Sequence, residues 1–197
     1  MSRINELINE LCPNGVKYME LGEILDYEQP SKYIVKSTDY NQSFKTPVLT
    51  AGQSFILGYT NEVEGIYNAT KDKPVIIFDD FTTSFHLVDF KFKVKSSAMK
   101  MLIPKETENI NFKYVYYAMK NIRYAPLDHT RQWIGKYSKR LIPVPPIEVQ
   151  LEIVRILDEL TELNKKLTEE LKAEIEARNK QYEYYRDKLL TFKKMEE

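Results

Sequence analysis

A narrow apolar stripe runs along the last fifty residues of the chain. Residues 147–197 contain no proline and no glycine. Apolar side chains recur there at steps of three or four, with one step of seven across Arg178: Leu160, Leu163, Leu167, Leu171, Ile175, Tyr182, Tyr185, Leu189 and Phe192. This spacing predicts one continuous amphipathic helix, about 70 Å long at a rise of 1.5 Å per residue.

A stripe of this length needs a second long helix beside it, because the preceding part of the chain is too small to cover it. The sequence offers one such helix. We therefore expect the partner helix to come from another copy of the chain, which predicts a homodimeric coiled coil. The predicted dimer interface is formed by Leu160, Leu163, Leu167, Leu171, Ile175, Tyr182 and Leu189.

Charge is divided unevenly along the chain. Residues 1–147 hold 19 Lys/Arg and 16 Asp/Glu, a net charge of +3, whereas residues 148–197 hold 10 Lys/Arg and 13 Asp/Glu, a net charge of −3. The mildly basic first part is compatible with a polyanionic partner. Cys12 is the single cysteine, which excludes an intrachain disulfide and fits a reducing cytoplasm. The sequence shows no signal peptide and no stretch long enough to span a membrane, so we expect a cytoplasmic protein.

The first part of the chain is predicted to mix helices and strands. Residues 2–11 form an amphipathic pattern ended by a Pro-Asn-Gly turn, residues 18–25 fit either a strand or a short helix, and residues 30–46 are predicted to be a loop. Strands are predicted at residues 47–50, 55–59, 74–78, 90–95 and 99–104. In residues 90–95 apolar and charged side chains alternate, which predicts that one face of this strand is exposed to solvent. A helix is predicted at 111–122 and a polar loop at 127–137.

Three prolines in residues 143–146 mark a boundary, because proline cannot continue a helix and favours an extended joint. The predicted organisation is a head of residues 1–146 followed by a helix of residues 147–197. The predicted fold class is α+β: a mixed α/β head followed by one long C-terminal coiled-coil helix.

Most enzymatic motifs are absent from the sequence. It has no phosphate-binding glycine-rich loop, and one Cys with two His residues cannot form a structural zinc site. Asp79 and Asp80 follow a predicted strand and could either bind a metal or cap a turn. Asp128, His129 and Ser138 lack the context of a hydrolase triad. We therefore expect no catalytic residues, no metal and no cofactor.

Binding chemistry is concentrated in three polar loops, around residues 31–45, 67–73 and 128–140. Their amides, hydroxyls and cationic groups are those that read base edges and hold phosphates. Arg131 and Gln132 could make bidentate contacts with guanine and adenine, or could serve the structure beside Trp133. A single exposed lysine is more often only a solvated surface residue. Lys139 and Arg140 are further candidates for phosphate binding. The predicted DNA-binding residues are Lys32, Lys36, Ser37, Thr38, Asn41, Gln42, Lys45, Lys71, Lys73, Arg131, Gln132 and Lys136.

Residues 142–157 (IPVPPIEVQLEIVRIL) resemble a junction motif, IP-x-PP-x-x-x-Q-x-x-I-x-x-x-L, of type I restriction–modification specificity (S) subunits. Residues 18–24 are similar to the opening of a target-recognition domain in that family. Residues 46–59 and 75–78 are similar to the core strands of that domain. The resemblance covers nearly the whole chain, and the junction motif is its most specific part.

The resemblance implies a non-catalytic subunit that binds double-stranded DNA sequence-specifically and recruits methyltransferase (modification) and restriction subunits. Full-length members of the family have two recognition domains joined by two antiparallel helices and read a bipartite site. One recognition domain and one helix resemble a half-size form, which as a homodimer is expected to read a palindromic site. The alternative is a non-catalytic coiled-coil adaptor or structural protein whose head binds protein.

Overall fold

The computed structural model describes residues 2–52, 54–105, 109–193 and 195. The chain divides into two compact units, one ending at Leu151 and the other beginning at Glu152. The first unit mixes helices and strands, and the second is helical.

The centre of the first unit is a four-stranded antiparallel sheet. Its strands are β2 (Leu25–Glu28), β6 (Val75–Asp79), β7 (Phe85–Val88) and β9 (Met99–Pro104), in the order β2-β9-β6-β7. The β6 strand is apolar along Val75–Phe78 and fully buried there, as expected of a strand covered on both faces.

A second four-stranded sheet contains the remaining strands of the centre. These are β3 (Thr46–Leu49), β4 (Ile56–Thr60), β5 (Tyr67–Asn68) and β8 (Lys91–Val94), in the order β4-β3-β8-β5. The β3 and β8 strands pair in parallel, so that Leu49 faces Val94, and the other pairs are antiparallel.

Alternate residues of β6 enter two separate hydrophobic cores, because successive side chains of a strand point to opposite faces. Ile76 and Phe78 pack with Trp133 and Tyr137 in one core. On the other face, Val75 and Ile77 join the second core, which includes Leu49, Phe92, Val94 and Met101. The central sheet is thus covered by helices and loop on one side and by the second sheet on the other.

Helices and a small sheet complete the unit: α1 (Arg3–Leu11), α2 (Leu21–Ile24), α3 (Phe112–Lys120), and 3₁₀ turns at Pro30–Tyr33 and Tyr137–Lys139. The α2 helix carries a capping box, in which the Glu23 carboxylate accepts the Glu20 N–H at 2.9 Å. The β1 strand (Lys17–Glu20) pairs antiparallel with β10 (Leu141–Val144), which brings the start of the head to the joint.

The long helix α4 (Ile147–Leu190) has 44 residues, or about 66 Å at 1.5 Å per residue. Its start is fixed within the first unit by the buried side chain of Gln150. This amide accepts the N–H of Asn111 at 2.9 Å and donates to the carbonyls of Asn109 and Pro145 at 3.0 and 2.8 Å. Every residue from Glu159 to Leu190 is exposed, the predicted stripe included. No helix in the described ranges is apolar enough over a sufficient length to span a membrane.

The prediction that one face of residues 90–95 is exposed to solvent is wrong. Lys91 is exposed, but Lys93 is 1% exposed, because the segment after β4 covers that face of the sheet and supplies a carboxylate to the amine. The stretch left open at residues 18–25 is divided between the end of β1, the short helix α2 and the start of β2.

Candidate nucleic-acid interface

The segment of residues 31–37 carries cations and backbone donors, but carboxylates accompany them. Lys32 Nζ lies 3.0 Å from the Glu28 carboxylate. The backbone N–H groups of Lys36 and Ser37 both donate to Glu62 Oε1, at 2.8 and 2.9 Å. The Lys36 amine is well exposed and lies 4.0 Å from the Glu64 carboxylate. Among these, the Lys36 amine is the group most accessible to a phosphate.

Glu62 connects this segment to the second sheet. Its Oε2 pairs with Nζ of the buried Lys93 at 3.0 Å, and the same Nζ donates to the Glu64 carbonyl at 2.6 Å. Burial raises the pKa of Glu62, but hydrogen bonds from Ser37, Lys93 and Lys36 outweigh it, so the pKa is held below its ordinary value. The carboxylate stays ionised and locks residues 36–37 onto the second sheet.

The remaining predicted contacts of the first two loops are exposed and polar. Thr38, Gln42 and Lys45 are exposed, whereas the Asn41 side chain accepts from the backbone and hydroxyl of Ser43 and so serves the turn. Lys71 and Lys73 lie on a tight turn closed by two hydrogen bonds between Thr70 and Lys73, each 3.1 Å. Both lysines are exposed. Their position at a turn tip leaves the amines free to approach a duplex.

Gln132 is buried, and its amide is used within the loop of residues 128–137. Its Oε1 accepts the Tyr124 hydroxyl at 2.6 Å, and its Nε2 donates to Asp128 Oδ1 at 3.0 Å and to the Thr130 carbonyl at 2.6 Å. The side chain is 0% exposed. Contact with adenine would need the amide group of Gln132, but this group already holds the loop together. We therefore assign Gln132 the structural role, which the sequence had left open beside the DNA-binding one.

Lys136 is half-exposed and ion-paired. Its Nζ lies 2.9 Å from both carboxylate oxygens of Asp128 and 3.0 Å from the Thr130 hydroxyl. Hydrogen bonds from Thr130, Lys136 and Gln132 hold the pKa of Asp128 well below its usual range. A phosphate approaching Lys136 thus meets an ionised Asp128 at the same place.

Arg131 is the exposed member of the Arg131–Gln132 pair. Its side chain is 52% exposed, and its Nη1 lies 3.7 Å from Oδ2 of the buried Asp80. The other carboxylate oxygen of Asp80 accepts the backbone N–H groups of Gln132 at 3.1 Å and Trp133 at 2.8 Å. Asp80 thereby anchors the two residues that follow Arg131.

A groove of about 490 Å³ lies beside this loop, lined in part by Arg123, Tyr124, Lys136 and Arg140. The Arg140 guanidinium sits 4.6 Å from the centre of the Tyr124 ring, a cation–π arrangement. Leu127, at the rim, is 99% exposed. Sequence reasoning missed Arg123 and Tyr124, although a basic–aromatic pair directly after a predicted helix was the available signal.

The acidic residues that could have held a metal are otherwise occupied. Asp79 Oδ1 accepts the N–H groups of Phe81 and Thr82 at 2.9 and 2.8 Å, which is the turn-capping role. Asp80 lies 3.5 Å from the Nζ of Lys100, and both side chains are fully buried. Within the described residues, no three His, Cys, Asp or Glu side chains are grouped to hold a metal ion.

Seven of the twelve predicted contacts fall into three groups in the structure. Lys36 and Ser37 lie beside Glu62 and Glu64, and Lys32 of the same segment pairs with Glu28. Lys71 and Lys73 share the turn before β6. Arg131 and Lys136 lie on the loop that also borders the basic groove.

Comparisons with known proteins by family model, by sequence and by structure agree with one another. The family model described as the type I restriction modification DNA specificity domain matches residues 13–177. The chain is 51% identical over 205 residues to the specificity subunit of the type I restriction enzyme EcoR124I/EcoR124II of Escherichia coli. The match covers 100% of this chain and 50% of that subunit, so the chain spans about half the length of this relative.

Two solved structures share the fold. One is the S subunit of the type I restriction–modification system of M. genitalium, with a TM-score of 0.60, 16% identity and coverage of 85% of this chain and 45% of that chain. The other comes from a study of complex assembly and conformational transition in the type I R-M system, with a TM-score of 0.56, 16% identity and coverage of 91% and 48%. The predicted mixed α/β head followed by a long C-terminal helix is confirmed.

Proposed function

The chain belongs to the family of type I restriction–modification DNA specificity domains, and we propose that it acts as the sequence-specific DNA-binding specificity subunit of a type I restriction–modification complex. In this role it is non-catalytic and selects the site at which partner subunits act. The family match over residues 13–177 carries this proposal, because it spans both the head and most of the long helix.

We assign the DNA contacts to exposed cationic and polar groups of the head. In this proposal Lys36, Lys45, Lys71 and Lys73 contact phosphates and Arg131 contacts base edges, and the exposure of these side chains supports the assignment. Arg123 and Arg140 of the groove add two cations to the loop that carries Arg131 and Lys136. The head carries a net charge of only +3, so its electrostatic contribution to DNA affinity is small.

We propose that the long helix pairs with the same helix of a second copy. The stripe residues Leu160, Leu167 and Leu171 are 51%, 51% and 53% exposed in the single chain. A continuous apolar stripe of this kind is typical of an association surface. The i,i+4 ion pair of Lys180 with Glu176 lies on the polar face opposite the stripe, whereas Arg178, paired with Glu174, occupies the stripe position between Ile175 and Tyr182.

A two-fold dimer has a direct consequence for the target. Two identical heads related by a two-fold axis read inverted copies of one half-site. An antiparallel helix pair holds the heads at opposite ends, so the site is palindromic with a fixed gap. Methyltransferase subunits, and restriction subunits in larger assemblies, then join this dimer and add phosphate contacts to those of the head.

The proposal is tested by DNA binding of the full chain with and without methyltransferase subunits. We expect saturable binding to a duplex that carries the host's methylated motif, stronger than to a scrambled duplex and weakened by salt. The methyltransferase subunits should tighten this binding. The alternative function, a coiled-coil adaptor whose head binds protein, predicts equal and weak binding to both duplexes under all of these conditions.

A further inference from the structure

A buried carboxylate lies directly behind the exposed Arg131. Asp80 is 0% exposed and follows β6, in the turn that β6 makes with β7. Its Oδ1 is used by the backbone N–H groups of Gln132 and Trp133. Its Oδ2 accepts no hydrogen bond from the described residues but lies 3.5 Å from Lys100 Nζ and 3.7 Å from Arg131 Nη1.

Lys100 balances the charge of Asp80 from within the core. Its side chain is 0% exposed, and its Nζ lies 4.8 Å from the centre of the Tyr27 ring. A buried charge without a partner destabilises the folded state, whereas in this pair each charge compensates the other. The carboxylate of Asp80 is therefore paired with Lys100 and held in place beneath the surface that presents Arg131.

We propose that Asp80 is a positioning residue that fixes the Arg131 guanidinium for recognition of a guanine in each half-site. This inference rests on the proposed function and adds a specificity-determining pair to it. Asp80 acts on Arg131 in two ways: its Oδ1 holds the backbone of the next two residues by hydrogen bonds, and its Oδ2 lies 3.7 Å from Arg131 Nη1, within ion-pair distance but longer than a hydrogen bond. A guanidinium has five N–H donors, so a contact through Nη1 leaves the edge formed by Nε and Nη2 for O6 and N7 of guanine.

Fixing the guanidinium in advance matters because an arginine side chain loses rotamer entropy when it is ordered on DNA. A carboxylate that orders the side chain before binding removes part of that cost. The carboxylate also selects one orientation of the guanidinium plane. A cation that would otherwise bind any phosphate can then recognise one base.

Two variants separate positioning from folding. Asp80→Asn keeps an oxygen for the two backbone donors but turns an amide N–H₂ group toward the Arg131 guanidinium, where donor faces donor. Because this change leaves Lys100 unpaired in the core, the double variant Asp80→Asn/Lys100→Met removes both charges together and keeps a stem of similar length against Tyr27. Arg131→Ala removes the proposed reader, and Lys17→Ala, an exposed cation on β1, is the matched control.

The experiment measures binding of the full chain, with its methyltransferase subunits, to duplexes in which each guanine of the motif is replaced by 7-deazaguanine, which lacks N7. For the unaltered chain and Lys17→Ala, we expect one position per half-site at which the replacement weakens binding, roughly tenfold. For Arg131→Ala and for the Asp80→Asn/Lys100→Met variant, the ratio at that position should fall towards one. Thermal unfolding of the double variant should stay close to that of the unaltered chain.

A double-mutant cycle gives the decisive readout. If Asp80 acts through Arg131, adding Arg131→Ala to the Asp80→Asn/Lys100→Met variant should cause no further loss of guanine discrimination. Additive losses, or a folded double variant that keeps full sensitivity to 7-deazaguanine, would overturn the positioning role. An unaltered chain that does not distinguish the motif from a scrambled duplex would instead contradict the proposed function itself.

Discussion

The Nζ of Lys93 lies 3.0 Å from Oε2 of Glu62, and the Lys93 side chain is 2% exposed. The other oxygen of Glu62 accepts the backbone N–H groups of Lys36 and Ser37. Glu62, in the segment after β4, therefore connects Lys93 of β8 with residues 36–37, which belong to the first segment of the proposed DNA interface. The order of residues 36–37 depends on a carboxylate about 25 residues away in the sequence.

Glu62→Gln should destabilise the head by about 3 kcal/mol at pH 7, because it leaves the buried Lys93 amine without a counter-charge. The pKa of Glu62 is lowered in the fold, so its ionised form contributes stability above the ordinary glutamate value of about 4.3 and loses it as pH falls through the lowered value. The difference between the variant and the unaltered chain should thus shrink below about pH 4. Urea unfolding at pH 7 and at about pH 3 measures both values.

Glu64→Gln is the matched control, because its carboxylate is 88% exposed and lies 4.0 Å from Lys36. We expect it to change stability by less than about 0.5 kcal/mol. Equal effects of the two substitutions would show that the Glu62–Lys93 pair does not hold the segment in place.

Gln132→Ala should lower the stability of the head by about 2–3 kcal/mol, since it leaves the Tyr124 hydroxyl and the Thr130 carbonyl without their buried partner. Gln42→Ala, at an exposed position of the first loop, should be nearly neutral. Thermal unfolding of both variants is the measurement. A Gln132→Ala chain as stable as Gln42→Ala, with altered preference at one base, would restore the base-reading role predicted from the sequence.

Features set by short-range pattern were predictable. The long helix follows from its periodicity and from the absence of proline and glycine, and its first residue, Ile147, comes directly after the last of the three prolines. The β6 strand follows from the apolar run at residues 75–78. These elements are specified by neighbours within a few positions, so sequence reasoning located them.

Features set by partners distant in the sequence were not predictable. Lys93 and Lys100 are buried because Glu62 and Asp80 meet them in the fold, and nothing in the residues flanking these lysines indicates it. The parallel pairing of β3 with β8 likewise depends on the whole topology. For the same reason, Arg131 and Gln132, adjacent in sequence, have opposite environments, one exposed and one buried.

Replacing Leu167 and Leu171 with Asp should split the proposed homodimer, because each change places an unpaired charge in the seam at a cost of several kcal/mol. Ala173→Asp, at an exposed position away from the stripe, is the control and should leave the dimer intact. Light scattering of the purified chain at micromolar concentration measures the mass. A monomeric unaltered chain, or a dimer that persists in the double Asp variant, would contradict pairing through the stripe.

Deleting residues 165–171 should shorten the gap between half-sites. The deletion removes seven residues, which keeps the stripe in register and shortens the helix by about 10 Å. At 3.4 Å per base pair, the preferred gap should decrease by up to about three base pairs. Methylation mapping in cells that carry the deleted chain gives the gap. An active deletion variant with an unchanged gap would show that the helix does not set the distance.

The central claim is that this chain, as a homodimer, selects a palindromic site for DNA methylation. Methylome sequencing tests it most directly, in cells that carry the chain with methyltransferase subunits and in matched cells that lack the chain. We predict a methylated motif of two inverted, identical half-sites separated by a fixed gap, present only when the chain is present. An asymmetric motif, or one that persists without the chain, would contradict the account.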